Sequence, residues 1–174
     1  TLYLAFTFSI NNCFDIECDT QQREKLKKNP IAAGYISIKE GLILSSCMAF
    51  TGLTLTYLWF GSVRFLLYST LIFLGGAYSI PPLRFKSVPL MDLFSHSLFF
   101  GALLYFYGVL TTGNLSFQAI LIGVSISLYS IILELRNHIE DFQADSTSNT
   151  RTTVCWIGYT KSERLLKSFL LAHW

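Results

Sequence analysis

Two acidic stretches hold the side chains best suited to chemistry. The first reads Asn11-Asn12-Cys13-Phe14-Asp15-Ile16-Glu17-Cys18-Asp19, the second Asn137-His138-Ile139-Glu140-Asp141-Phe142-Gln143-Ala144-Asp145. Both follow the pattern N-x-x-x-D-x-x-x-D. On a helix, four-residue spacing puts all three oxygen-bearing side chains on one face. Carboxylates clustered beside apolar segments are costly unless a cation or partner neutralises them. A hard divalent ion such as Mg²⁺ suits these donors, because it binds one or two carboxylates and fills its other positions with water or phosphate oxygens. Asn adds a neutral oxygen where a third carboxylate would add repulsion. Two clusters predict two ions, enough to neutralise a diphosphate leaving group. A lone D-x-x-x-D is often a solvated helix end; two copies, each led by Asn at the same spacing, make a pattern.

The segments between these motifs are apolar. Mean hydropathy over the 174 residues is +0.46 and only 14% are charged, too apolar for an ordinary soluble domain. Residues 41–63 and 65–83 carry no charge, and from Leu93 to Leu133 there is no Asp, Glu, Lys or Arg. A span needs about 20 apolar residues. This predicts an all-α, multi-span transmembrane bundle with complete spans near 41–60, 65–83, 93–110 and 115–135, the last two split at Thr111-Thr112-Gly113-Asn114. Residues 1–14 are apolar but too short to cross alone, and a further apolar run opens after Leu165. We therefore expect one transmembrane domain over 1–174, cut at both ends.

Alternation of the spans puts loops 15–40, 84–92 and 136–164 on one side. Arg23, Lys25, Lys27, Lys28, Lys39, Arg84, Lys86, Arg136, Arg151, Lys161, Arg164 and Lys167 then share that side, and only Arg64 lies opposite. Short Lys/Arg-rich loops stay cytoplasmic. The expected location is a multi-pass membrane protein with both acidic motifs at the cytoplasmic face, where they could face one another across a cavity. The formal net charge of +2 says little about partners beyond the lipid bilayer, and without a basic stripe interleaved with aromatics nucleic acid is not expected as one. Cys13 and Cys18 lack the paired spacing of zinc sites, and the four cysteines Cys13, Cys18, Cys47 and Cys155 read as packing residues or free thiols. His96 reads as a hydrogen-bonded interior residue, and His138 lies off the Asn137/Asp141/Asp145 face.

An acidic, metal-holding mouth above an apolar bundle suits a substrate with a diphosphate head and a hydrocarbon tail, an isoprenyl diphosphate. A third element lies between the second and third complete spans: Tyr78-Ser79-Ile80-Pro81-Pro82-Leu83-Arg84-Phe85-Lys86. The prolines stop the span, since proline lacks an amide donor and clashes with the preceding turn. Arg84 and Lys86 then emerge at the boundary.

The ordered set N-x-x-x-D-x-x-x-D, Y-S-x-P-P-x-R-x-K and a second D-x-x-x-D resembles the UbiA superfamily of intramembrane prenyltransferases. Lys28-Asn29-Pro30-Ile31-Ala32-Ala33-Gly34 is similar to that family's R-P-x-x-S-G stretch, and Asp145 through Arg151-Thr152-Thr153 to Gly158 to the stretch after its second motif. The resemblance spans nearly the whole chain. It implies a partial nine-helix fold, from about the second helix to the start of the seventh, and Mg²⁺-assisted transfer of an isoprenyl group from an isoprenyl diphosphate to an unidentified acceptor, an aromatic or quinone precursor or a polar lipid precursor. By the same resemblance Asn11, Asp15 and Asp19 form one Mg²⁺ cluster and Asn137, Asp141 and Asp145 the other. Lys28, Arg84, Lys86 and Arg151 contact diphosphate, and Tyr78 and Ser79 line the reacting end of the prenyl chain. Three positions depart from the family pattern: Asn12 replaces a common Asp, Asn29 a common Arg and Ala33 a frequent Ser. An inactive relative with the same fold is the alternative. A cation transporter is a weaker one, because it would place ionisable residues deep in the spans.

Overall fold

The structure, a computed structural model, describes residues 1–148 and 150–173. Its regular elements are all helical among the described residues, and they form two compact units, Thr1–Arg84 and the chain from Phe85 onward.

The first unit contains α1 (Leu2–Phe14), α2 (Ile16–Thr20), α3 (Arg23–Lys28) and α4 (Ile38–Ser79). Tyr3, Phe6, Ile10 and Cys13 recur every three or four residues along α1 and bury one stripe of it against α4. Polar contacts help to hold this seam: Ser45 Oγ donates to Ser9 Oγ at 2.8 Å, and Tyr3 meets Tyr68 edge-on at 6.4 Å. Small hydroxyl and glycine positions allow such close packing between apolar helices. A capping box starts α4. Ser37 Oγ accepts from Glu40 N, and the Glu40 carboxylate accepts from Ser37 N at 2.7 Å.

The two expected spans 41–60 and 65–83 are the arms of α4. At Gly61 the backbone takes φ 76°, ψ 173°, a conformation open essentially to glycine. The chain folds back there. A Cβ at Gly52 would fall 2.0 Å from Tyr68 Oη, and the Tyr57 and Phe65 rings lie 5.5 Å apart. In a straight helix residues 52 and 68 would be about 24 Å apart. The second arm ends at Ser79, short of the expected 83. Ile80 precedes proline and is extended at φ −86°, ψ 126°, as the ring of the next residue requires.

The second unit begins with a 3₁₀ turn, Phe85–Ser87, and then α5 (Met91–His96), which runs through a π-helical turn, Ser97–Ala102, into α6 (Leu103–Thr112). It continues with α7 (Phe117–Glu140), α8 (Phe142–Thr147), α9 (Thr153–Ile157) and α10 (Tyr159–His173). The π turn packs on α7, whose hydroxyls serve backbone carbonyls there: Ser127 Oγ donates to Ser97 O at 3.1 Å and Ser130 Oγ to His96 O at 3.2 Å. Leu93, Leu135 and Val154 form a buried core, with Ile131, Phe142 and Leu166 packed on it.

Among the described residues three helical stretches are long and apolar enough to cross a membrane: Ile38–Ser79, Met91–Thr112 and Phe117–Glu140. Each α4 arm is roughly 27–35 Å long, comparable with the hydrocarbon layer. Phe50, Leu58, Trp59, Leu66 and Phe73 on α4, and Phe117, Leu121 and Val124 on α7, are exposed, as lipid-facing residues are. The chain is an integral membrane protein built of helices.

Candidate active site

Both acidic motifs straddle a helix break at their middle aspartate. Asp15 lies between α1 and α2, and Asp141 between α7 and α8. Neither break interrupts the hydrogen-bond ladder. Asp15 N donates to Asn11 O at 3.0 Å and Asp19 N to Asp15 O at 2.8 Å; Asp141 N and Asp145 N donate to Asn137 O and Asp141 O at 2.9 Å each. The i, i+4, i+8 relation therefore survives, and each motif keeps its three oxygen-bearing residues on one face.

In the first unit every member of the motif has a partner from another element. Asn11 Oδ1 accepts from Ser79 Oγ at 2.9 Å, so this fully buried hydroxyl is directed at the motif. Tyr78 beside it is buried too. Asp15 Oδ1 lies 3.7 Å from Arg84 Nη2. Arg84 adopts φ 33°, a left-handed conformation costing on the order of 1 kcal/mol for a non-glycine residue, and its buried Nε has no hydrogen-bond partner among the described residues. Asp19 is buried and accepts from Asn29 Nδ2 at 2.8 Å. Asn29 is 2% exposed and also donates to Asn12 O at 3.0 Å, while its own oxygen accepts from Ile31 N and Ala32 N. The residue that departs from the family's arginine is thus the hub joining Asp19 to the loop. Its neutral amide orients Asp19 without cancelling its charge.

In the second unit Lys86 is a buried cation. It is 8% exposed. Burial pushes its ammonium down to about 8, against Asp145, then Glu134 and Asp141, which favour the charged form. Asp145 is buried, Asp141 half-buried and Asn137 exposed, with Asn137 Nδ2 donating to Glu134 Oε2 at 3.2 Å. His96 is an interior residue, with Nδ1 2.9 Å from Ser130 Oγ and Nε2 3.4 Å from Glu134. His138 is buried, turned away from the motif toward Glu134 and Asp92. Lys28 and Arg151 are exposed, and no described contact joins either of them to an acidic motif.

Sequence reasoning passed over Asp92 and Glu134. They bracket the uncharged run Leu93–Leu133 and so read as boundary charges, yet both are buried, at 0% and 6% exposure. Glu134 lies one turn before Asn137, a spacing that could have flagged it.

The donor chemistry fits Mg²⁺. Each motif offers two carboxylates and an amide oxygen on one face, and the four cysteines are free thiols. Among the described residues no group of three or more His, Cys, Asp or Glu side chains is placed to hold a metal ion by itself.

The comparisons with known proteins agree with this architecture. The chain is 27% identical over 180 residues to the rice protein "Probable homogentisate phytyltransferase 2, chloroplastic", a match covering 97% of this chain and 47% of that protein. It is 26% identical over 176 residues to the digeranylgeranylglyceryl phosphate synthase of Saccharolobus solfataricus, covering 98% and 58%. The chain thus spans about half the length of the curated relatives it matches. A UbiA homologue from Archaeoglobus fulgidus, solved bound to GPP and Mg²⁺, superimposes with a TM-score of 0.82 at 21% identity over 99% of this chain and 59% of that one. The same homologue bound to DMAPP and Mg²⁺ gives 0.81 at 20% identity, over 99% and 60%. At these identities the likeness establishes the shared helical fold. The profile of the UbiA prenyltransferase family matches residues 1–174, and the chain belongs to that family.

Proposed function

We propose that the protein is a Mg²⁺-dependent intramembrane prenyltransferase, moving an isoprenyl group from an isoprenyl diphosphate to an acceptor. The observation that carries this reading is the repeated construction: in each unit an N-x-x-x-D-x-x-x-D motif crosses a helix break with its ladder intact and has a basic side chain beside it. Each motif is one Mg²⁺ site in this reading. Asn11, Asp15 and Asp19 hold one ion, and Asn137, Asp141 and Asp145 the other.

Bound Mg²⁺ supplies electrostatic stabilisation of the departing diphosphate. The chain's own residues bind and orient the donor. Arg84 brings a guanidinium fork with an unsatisfied Nε–H, the geometry that phosphate oxygens accept. Lys86 adds a positive charge from a buried position, and Lys28 and Arg151 are exposed cations available to the outer phosphate. Ser79 fixes Asn11, and Tyr78 beside it lies at the reacting end of the prenyl chain. The apolar helices exclude water from the allylic carbon. The C–O bond to diphosphate breaks, the acceptor's nucleophilic atom bonds to that carbon, and the acceptor releases a proton.

The relatives' names cover two acceptor chemistries, homogentisate in the rice protein and a glyceryl phosphate lipid in the archaeal one. We read the acceptor of this chain as one of these classes, an aromatic or quinone precursor or a polar lipid precursor. The excess of Lys and Arg on one set of loops supports a cytoplasmic active face.

The test uses the protein with its native termini in nanodiscs, with geranylgeranyl or farnesyl diphosphate, an acceptor panel, and Mg²⁺ or EDTA. Prenylated product and released diphosphate are followed together. Mg²⁺-dependent product is the expected result. Absence of donor binding at any Mg²⁺ concentration contradicts the reading.

A further inference from the structure

Glu134 is a buried acid on a membrane helix, a position where a carboxylate needs several partners. Both its oxygens are engaged. Oε1 lies 3.1 Å from His138 Nε2, and Oε2 lies 3.4 Å from His96 Nε2 and 3.2 Å from Asn137 Nδ2. His138 is backed on its other side by Asp92 Oδ2 at 3.3 Å. Asp92 is in turn fixed by Leu93 N at 2.8 Å, by Thr153 N at 2.5 Å and by the Thr153 hydroxyl. His96 is fixed by Ser130. Glu134 therefore sits at the centre of a buried polar line whose far ends are anchored to backbone and hydroxyl groups.

Of the side chains described in contact with Glu134, Asn137 is exposed and is one of the three oxygen-bearing residues of the second motif. A primary amide has a donating end and an accepting end, and an ionised carboxylate only accepts. The contact with Glu134 thus determines which way the Asn137 amide faces: Nδ2 turns to Glu134, and Oδ1 is left for a cation. An amide turned the other way would offer the ion N–H donors instead of an oxygen. We propose that Glu134 is a positioning residue for the second motif, presenting Asn137 Oδ1 to the metal, with His138 and Asp92 holding Glu134 in place. The proposal rests on the reading of Asn137, Asp141 and Asp145 as a Mg²⁺ site. Outer partners of this kind typically alter metal affinity 10–100-fold.

Mn²⁺ serves as the probe, its binding to the nanodisc-embedded protein read by electron paramagnetic resonance. Glu134→Gln keeps the shape but offers an amide that can donate to Asn137, so Asn137 is no longer held one way round. We expect Mn²⁺ affinity at the second motif to fall about tenfold, with little change in melting temperature. Asn137→Ala should give a similar loss, and the double variant no more than the larger single loss, because Glu134 acts through Asn137. Ser130→Ala, which loosens the line at its His96 end, should leave Mn²⁺ affinity within about twofold. Additive losses in the double variant, an unchanged affinity in Glu134→Gln, or an equal loss in Ser130→Ala overturns the positioning role. If Asp141→Ala leaves Mn²⁺ stoichiometry at the wild-type value, the metal site itself is misassigned, and the positioning role falls with it.

Discussion

The two acidic motifs share one spacing and one break in the helix, but their surroundings differ in charge. Around the first, two carboxylates meet a neutral amide, Asn29, and one guanidinium, Arg84, whose side chain is 34% exposed. Around the second, Asp141 and Asp145 lie with the deeply buried Lys86, and the nearby Glu134 is itself engaged by His96, His138 and Asn137. Backbone geometry is repeated because i, i+4, i+8 spacing requires it; the electrostatic environment is set separately in each unit by residues outside the repeated pattern. The first motif, with an outward guanidinium fork, should gain most of its metal affinity when the donor diphosphate is present.

Removing one acid from either motif gives the largest expected effect. Asp15→Ala and Asp141→Ala should each lower prenyl transfer by about a hundredfold or more, with normal membrane insertion. Near-normal turnover of either purified variant removes that motif from the chemistry. The two cations sharpen the contrast. Arg84→Lys replaces a fork by a point charge and should weaken donor binding about tenfold, measured by competition with a labelled prenyl diphosphate, while leaving donor-free Mn²⁺ binding intact. Donor affinity should also fall as pH rises through about 8, because Lys86 loses its charge there. The folded-state value lies below that of a free lysine, so the charged form is held only on the acid side of pH 8. In Lys86→Arg the fall between pH 7 and pH 9 should disappear, and a fall that persists assigns it to another group.

Asn29→Ala removes a buried hub and should cost about 2–3 kcal/mol, read as a lower melting temperature, because two backbone amides and one carboxylate oxygen lose their partner. Its effect on Mn²⁺ binding should be confined to the first motif. Smallest of all, Ser37→Ala breaks an exposed capping box and should cost about 1 kcal/mol without altering either metal site.

Much of this was legible in the sequence. The uncharged runs locate the spans to within a few residues. The prediction of two spans around residues 61–64 is met by a helix folded back at Gly61, since only glycine takes φ 76°, ψ 173° without strain. The N-x-x-x-D-x-x-x-D spacing locates both motifs, because helical periodicity is a local property. What could not be read is tertiary. Asn29 reaches Asp19 and Asn12 across 10 and 17 residues, and Asp92 reaches Thr153 across 61. No pattern within one helix announces such pairs. Ser79 donates to Asn11 across 68 residues. Asp92 and Glu134 lay just outside an apolar run, where a charge ordinarily marks the water boundary; here the chain brings both inside.

The most direct test of the account counts metal ions. Mn²⁺ bound per chain is measured in nanodiscs with a non-hydrolysable prenyl diphosphate analogue present, for wild type, for Asp15→Ala/Asp19→Ala and for Asp141→Ala/Asp145→Ala. The account predicts about two ions in wild type and about one in each double variant, one site per motif. Retention of both ions in either double variant, or no bound ion in wild type, contradicts it.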